Sequence, residues 1–134
     1  MVTYYTKDGS IDSIWVDQKA QDAAKSFFQD KDPINSSQLR KFYGDVKSLE
    51  RQWLTSGKND AAFAVIAPMI KLLKAKSEYA LKRKVIPQTF RDWLWSHVDS
   101  IRASRDFEAF LLHFEAVVGF SYGQARKLNI KNFN

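Results

Sequence analysis

The chain contains no cysteine. No disulfide framework and no thiolate metal site can therefore exist in it, thiol redox chemistry is excluded, and a reducing cytoplasm is the expected setting. Histidine is nearly as scarce. His97 and His113 are the only two, they fall on different predicted helices, and neither belongs to a His-Glu-x-x-His pattern or adjoins a nucleophile motif. Both read as structural. The carboxylates are scattered: Asp30 and Asp32 flank a loop, Glu50 lies on an exposed helix face, and Asp106 and Glu108 suit the positive end of a helix dipole. None makes the tight acidic cluster that two-metal hydrolysis needs. Gly44, Gly57, Gly119 and Gly123 stand isolated, so no Gly-rich phosphate loop is formed. The expectation is a protein that is not an enzyme, with no catalytic residues, no metal site and no cofactor. Long apolar runs are missing too. A charge interrupts each within a few residues, and Met1 to Ile11 mixes Lys7 and Asp8 with polar residues where a signal peptide would carry its apolar region. That predicts a soluble, unexported, cytoplasmic chain without a membrane partner. Strand-type alternation, internal repeats and low-complexity stretches are also absent.

What is present is a chain of 134 residues, 45% hydrophobic and 14% aromatic, long enough for one packed core and short for two domains. A single domain over 1–134, ordered from about 13 to 125, is expected. Apolar residues recur at spacings of three and four, with Gly and Pro between the periodic segments. After a lead with Tyr4, Tyr5 and Trp15, Ala20, Ala23, Ala24, Phe27 and Phe28 make one face of a first helix, about 13 to 29, ending before Asp32-Pro33. Ser36-Ser37 can cap a second helix with Leu39, Phe42, Tyr43, Val46, Leu49 and Trp53 inward and Gly57 as its stop. A third starts at Asn59 or Asp60 and turns Phe63, Ile66, Ile70, Leu73 and Ala80 inward, with Pro68 bending or splitting it. Pro87 fits the first turn of a fourth, with Phe90, Leu94, His97, Val98 and Ile101 on one side. After a break near 103–105, a fifth stacks Phe107, Phe110, Leu111, Phe114, Val117, Val118 and Tyr122. The remainder from Gln124 is basic and polar and is expected to be loosely ordered. The fold class is all-α, a compact bundle of about five helices.

Positive charge is organised. The formal net charge is +6, which favours a polyanionic partner. Between 71 and 84, Lys71, Lys74, Lys76, Lys82, Arg83 and Lys84 face one acid, Glu78. On helical geometry Lys71, Lys74 and Lys82 share a stripe with Glu78, while Lys76 and Arg83 lie together on the next. Helix two adds Arg40, Lys47 and Arg51 at offsets of seven and four, with Lys41 beside them. A helix turn advances about 5.4 Å, so these rows repeat at intervals close to those between phosphates of an extended strand. Arg can grip a phosphate with two donors and Lys acts as a mobile point charge, which suits contact with a backbone regardless of sequence. A solvated helix face is the other reading of the same rows. Of the aromatics outside the inward stripes, Trp95 and the lead residues Tyr4, Tyr5 and Trp15 read as anchors for a protein partner more readily than as base-stacking platforms.

Three stretches then carry a resemblance: Ser37-Gln38-Leu39-Arg40-Lys41-Phe42-Tyr43, Leu73-Lys74-Ala75-Lys76-Ser77-Glu78-Tyr79-Ala80 with Arg83, and Phe114-Glu115-Ala116-Val117-Val118-Gly119-Phe120. In this order and approximate spacing, over about residues 36 to 122, they resemble the small-subunit family of the type III-A CRISPR (Csm) effector complex. Gly119-Phe120 stands where that family usually has Ala-Tyr, and Ser121 to Gly123 does not continue with its common His-Lys.

The resemblance implies a helical subunit that stacks in several copies along the inner side of a ribonucleoprotein filament used in antiviral defence. It would lie beside backbone subunits that hold the guide RNA, near a large polymerase-like subunit, and support the target RNA paired to the guide. Catalysis would belong to those other subunits. Carried over residue by residue, Arg40, Lys74, Lys76 and Arg83 are the positions for phosphate contact, and charge geometry adds Lys41, Lys47, Arg51, Lys82 and Lys84. Arg83 could instead brace its helix through Glu115, which reads as structural, and Tyr79 is expected to pack with its hydroxyl on a polar partner. Two other readings stay open: a helical protein-interaction module, possibly a homodimer when isolated, and a helix-turn-helix DNA binder.

Overall fold

The computed structural model describes residues 2–131 and 133. Five α-helices follow a short 3-10 turn at Ser13–Val16: α1 (Gln18–Ser26), α2 (Ser36–Thr55), α3 (Asp60–Lys82), α4 (Gln88–Ser100) and α5 (Ser104–Lys127). Among the described residues there is no strand, only an isolated bridge between Tyr5 and Ile11. The helices end where local chemistry stops them. Asn35 and Asn59 accept hydrogen bonds from the backbone N–H of Gln38 (2.8 Å) and Ala62 (2.9 Å), so asparagines cap α2 and α3. Ser36, expected as a cap, is instead the first residue of α2 and is buried. After α2, Gly57 takes a φ of +110°, a backbone state that costs a Cβ-bearing residue energy.

Four details differ from expectation, each for a local reason. The segment expected as one helix from 13 to 29 is a 3-10 turn and then a shorter helix, because the Asp12 carboxylate accepts from the Ile14 N–H and Asp17 between them is not helical. Pro68 does not split α3: its missing donor falls on the exposed side, and the helix continues to Lys82. Pro87 is the residue before α4, extended at φ −80° and ψ 161°, not part of its first turn. At the other end α5 runs on to Lys127 because Ala125 is buried. The segment expected to be loose is thus helical at its start, and Phe133 packs edge-on to Tyr122 (4.8 Å) and Phe28 (5.4 Å). Asn132 and Asn134 of that segment, and Met1 of the lead, lie outside the described residues.

α5 is the spine, packed along α1 and crossed by α2, with α3 held between α2 and α4. The inward residues predicted for α3, Phe63, Ile66, Ile70, Leu73 and Ala80, are all buried. So are Phe90, Leu94, Val98, Phe107, Phe110, Phe114 and Val117 of α4 and α5. Burying side chains of this size contributes about 1.5–3 kcal/mol each. The lead segment belongs to this body. Tyr4 is buried, its hydroxyl 2.7 Å from His97 Nδ1, and Trp15 donates to the Thr3 carbonyl (2.9 Å) while its ring meets both histidines edge-on. Tyr4 and Trp15 are therefore part of the internal packing and do not stand out as partner anchors.

Candidate nucleic-acid interface

The nine basic residues singled out in the sequence do not form one face. The packing of α2 and α3 sorts them. Lys41 on one helix and Lys76 and Arg83 on the other line a common groove of about 270 Å³, together with Asp45 and Tyr79. Lys76 Nζ lies 3.3 Å from Asp45 Oδ2. Lys41 and Arg83 have no carboxylate partner among the described residues, and the Arg83 guanidinium sits 5.5 Å from the Tyr79 ring centroid. Tyr79 does not pack as expected: it is 66% exposed, because it projects from the side of α3 opposite the buried Ile70 and Ser77.

Lys74 belongs to a different setting, the seam between α3 and α4. Its ammonium is 2.8 Å from Asp99 Oδ1 and 4.5 Å from the Trp95 ring, and Lys71 approaches the same carboxylate at 3.8 Å. Lys74 holds the Asp99 carboxyl below its usual range. The Arg91 guanidinium also lies over the Trp95 ring, 3.5 Å from its centroid, and the indole N–H donates to Ser77 Oγ at 2.9 Å. Trp95 is thus a clasp between helices, which its sequence position off the main stripe did not reveal.

The row Arg40, Lys47 and Arg51 leans toward α5. Arg40 Nη1 donates to the Tyr122 hydroxyl at 3.3 Å. Lys47 forms a 2.5 Å ion pair with Glu50, and that pairing raises the lysine pKa. Arg51 is exposed on the same helix. The groove alongside contains Glu108 and Glu115, the latter exposed and in no contact with the groove of Arg83, so the bracing of α3 through Glu115 does not occur. Lys82 closes α3 in full exposure, and Lys84 follows in the left-handed region at φ +62°, beside Asp30 and Asp32.

The two histidines, far apart in sequence, stack across α4 and α5 with ring centroids 4.5 Å apart. Their partners fix the tautomer of His113. Trp93 Nε1 can only donate, so His113 Nε2 accepts (3.1 Å), and the carbonyl of Trp15 can only accept, so Nδ1 carries the proton (2.5 Å). Burial pushes His97 well below its ordinary pKa, with the neighbouring His113 adding to the effect, and burial lowers His113 as well. Both are 3% exposed or less, inside aromatic packing. Among the described residues no three His, Asp or Glu side chains are grouped to hold a metal ion, and no helix is long and apolar enough to cross a membrane.

No curated protein and no solved structure matches the chain. A protein-family model does: the family described as Csm2 Type III-A matches residues 12–127. That span takes in all five helices and the whole of the basic groove. The chain belongs to the Csm2 type III-A family, the small subunit of the type III-A CRISPR Csm complex.

Proposed function

We propose that this chain is a non-catalytic subunit which stacks along the Csm ribonucleoprotein and supports the target RNA paired to the guide, using the groove between α2 and α3 as its main phosphate-contacting surface. The observation that carries the reading is the convergence of Lys41, Lys76 and Arg83 from two helices on one concave surface where Asp45 is the lining acid. A concave cationic surface tracks a phosphate backbone better than a convex helix face, because several cations reach one strand at once. Arg83 supplies a planar fork beside an aromatic ring and the lysines supply mobile charge. Lys82 at the end of α3 and Lys84 just after it add exposed cations next to Arg83 in the chain, and Arg40, Lys47 and Arg51 form a second row toward α5. Lys74 contributes through the seam with Trp95. The partners are the guide and target RNA, the backbone subunits, the large polymerase-like subunit and other copies of the chain, in the cytoplasm.

The test is reconstitution of the effector complex with the natural subunit or with Lys41→Glu, Lys76→Glu and Arg83→Glu together. The variant is expected to enter the complex in normal amount and to hold target RNA less tightly. Its log-log salt slope should fall by roughly 2, at about 0.7 per lost phosphate contact. Unchanged retention and slope would remove this groove from the RNA path.

A further inference from the structure

The groove between α2 and α3 holds more than a phosphate track uses. Its floor is apolar: Phe42 and Ala80, one from each helix, are 3% and 4% exposed. One wall is the exposed Tyr79 ring, and Arg83 lies beside it with its guanidinium 5.5 Å from the ring centroid. Asp45 and Gln38, both partly buried, add a carboxylate and a carboxamide to the lining. A phosphate gains nothing from an apolar floor, and a carboxylate repels it. The same groups fit a nucleobase, which has flat faces to cover and an edge of hydrogen-bonding atoms to match. The cavity of about 270 Å³ lies just under the roughly 300–1,000 Å³ of small-molecule sites, room for one base and not for a pair.

Asp45 decides which base. Its Oδ2 lies 3.3 Å from Lys76 Nζ, an ion pair that steadies the carboxylate in the groove. A carboxylate has lone pairs on both oxygens, so this one bond leaves acceptor sites for a ligand. Ionised, the group only accepts, and it therefore selects an edge made of adjacent donors. On its Watson–Crick edge guanine presents N1–H and N2–H side by side. Adenine and cytosine each set a donor next to a ring acceptor, and uracil places its one donor between two carbonyl oxygens. Gln38 supplies an amide donor for the O6 acceptor of guanine.

We propose that the groove between α2 and α3 is a guanine site, which takes one unpaired guanine nucleotide of a single-stranded RNA. The base lies on the apolar floor against Tyr79 with N1–H and N2–H on Asp45, and the flanking phosphates meet Lys41, Lys76 and Arg83. The proposal rests on the reading of the groove as an RNA surface and adds to it a base and a preference. Arg83 serves both parts, since a guanidinium grips phosphate and also stacks on flat rings. All the groups belong to two helices of one chain, so the isolated subunit carries the whole site.

The test titrates the full chain into fluorescein-labelled RNA octamers, all uridine or with one central guanine, adenine or cytosine, and reads anisotropy at low and moderate salt. The guanine octamer is expected to bind about tenfold more tightly than the others, the gain of one bidentate contact. Asp45→Asn, which turns one acceptor into a donor, should erase that preference. The same substitution removes a negative charge beside three cations, so a merely electrostatic role for Asp45 would tighten every octamer alike. Tyr79→Ala should weaken all octamers about fivefold or more through lost stacking, with the salt slope unchanged. Circular dichroism checks that both variants keep their helices. Equal affinity for all four octamers, a preference for another base, a guanine preference that survives Asp45→Asn, indifference to Tyr79→Ala, or no binding by submillimolar chain overturns the guanine site. The phosphate reading is judged separately, by Lys41→Glu, Lys76→Glu and Arg83→Glu in the reconstituted complex. A lower salt slope there, with no base preference among the octamers, would mean that the groove holds RNA by its backbone alone.

Discussion

The two long sides of the molecule invest aromatic residues in opposite ways. Where α4 and α5 meet the lead segment, Tyr4, Trp15, Trp93, His97, Phe110, His113 and Phe114 form a closed network of ring contacts between 4.5 and 6.0 Å. Its polar atoms are matched inside the chain, and no buried side-chain nitrogen or oxygen is left without a partner among the described residues. Along α3, by contrast, large apolar side chains and cations lie open. Among the described residues, ion pairs tie Lys71, Lys74, Lys76 and Glu78 to Asp99, Asp45 and Arg91. The first side is sealed and so sets stability; the second keeps its ion pairs at the surface beside exposed Val65, Leu72 and Tyr79 and so offers contact to other molecules. That division predicts that substitutions on the two sides will separate stability from binding.

The largest effect tests the closed side. Phe114 is fully buried against Trp93 (4.9 Å), Tyr43 (5.1 Å) and Phe110 (5.6 Å). Phe114→Ala should cost about 3–5 kcal/mol in urea unfolding, from lost transfer energy and the cavity left behind. Val65→Ala on the exposed side of α3 should stay within about 0.5 kcal/mol, since Val65 is 69% exposed. Similar losses at both positions would erase the distinction between the two sides.

A smaller effect comes from acid. His97 and His113 are held neutral in the fold with pKa values below the ordinary 6.5. The unfolded chain binds protons at these rings before the folded one does. Stability is thus complete above about pH 6.5 and declines below it, by at most about 1.4 kcal/mol per pH unit for each histidine until the folded-state pKa is reached. Protonating His113 at Nε2 would also break its bond from Trp93. The groups facing the pair are Tyr4, Trp15, Trp93 and Phe110, and the Asp106 carboxylate acts on Tyr4. Unfolding midpoints measured from pH 7.5 to 5.0 should fall for the natural chain and fall less for His97→Phe. A flat profile would show that the histidines are not sealed.

How much of this was legible beforehand follows the same division. Periodicity gave the helices and their inward residues, since burial at spacings of three and four is a local signal; Phe63, Ile66, Ile70, Leu73 and Ala80 all went inward as read. Contacts between helices were not legible. Spacing on one helix grouped Arg40 with Lys47 and Arg51, but only the packing of α2 against α3 joins Lys41 to Lys76 and Arg83. His97 and His113 stack because α4 and α5 cross there, and no local pattern states where helices cross. Trp95 lay off the main stripe and read as an outward anchor, while the cations of Arg91 and Lys74 both lie over its ring and its indole N–H is bonded to Ser77.

The smallest expected effect sharpens the comparison at one residue. Lys84 turns the chain after α3 at φ +62°, where the Val85 N–H reaches back to the Ala80 carbonyl at 3.2 Å. A left-handed backbone costs a residue with a Cβ about 1–2 kcal/mol. Glycine escapes that cost and adds back part of it, about 0.5–1 kcal/mol, as backbone entropy. Lys84→Gly should therefore stabilise the chain by somewhat under 1 kcal/mol, read from the urea midpoint. The same substitution deletes an exposed cation next to Arg83 in the chain. If Lys84 serves the RNA, the more stable variant retains target RNA less well in the reconstituted complex, and its salt slope falls by about 0.7. Strain kept at a position where glycine would fold better is then explained by the charge it holds in place. An unchanged slope would confine the RNA surface to Lys41, Lys76, Arg83 and their neighbours on the helices.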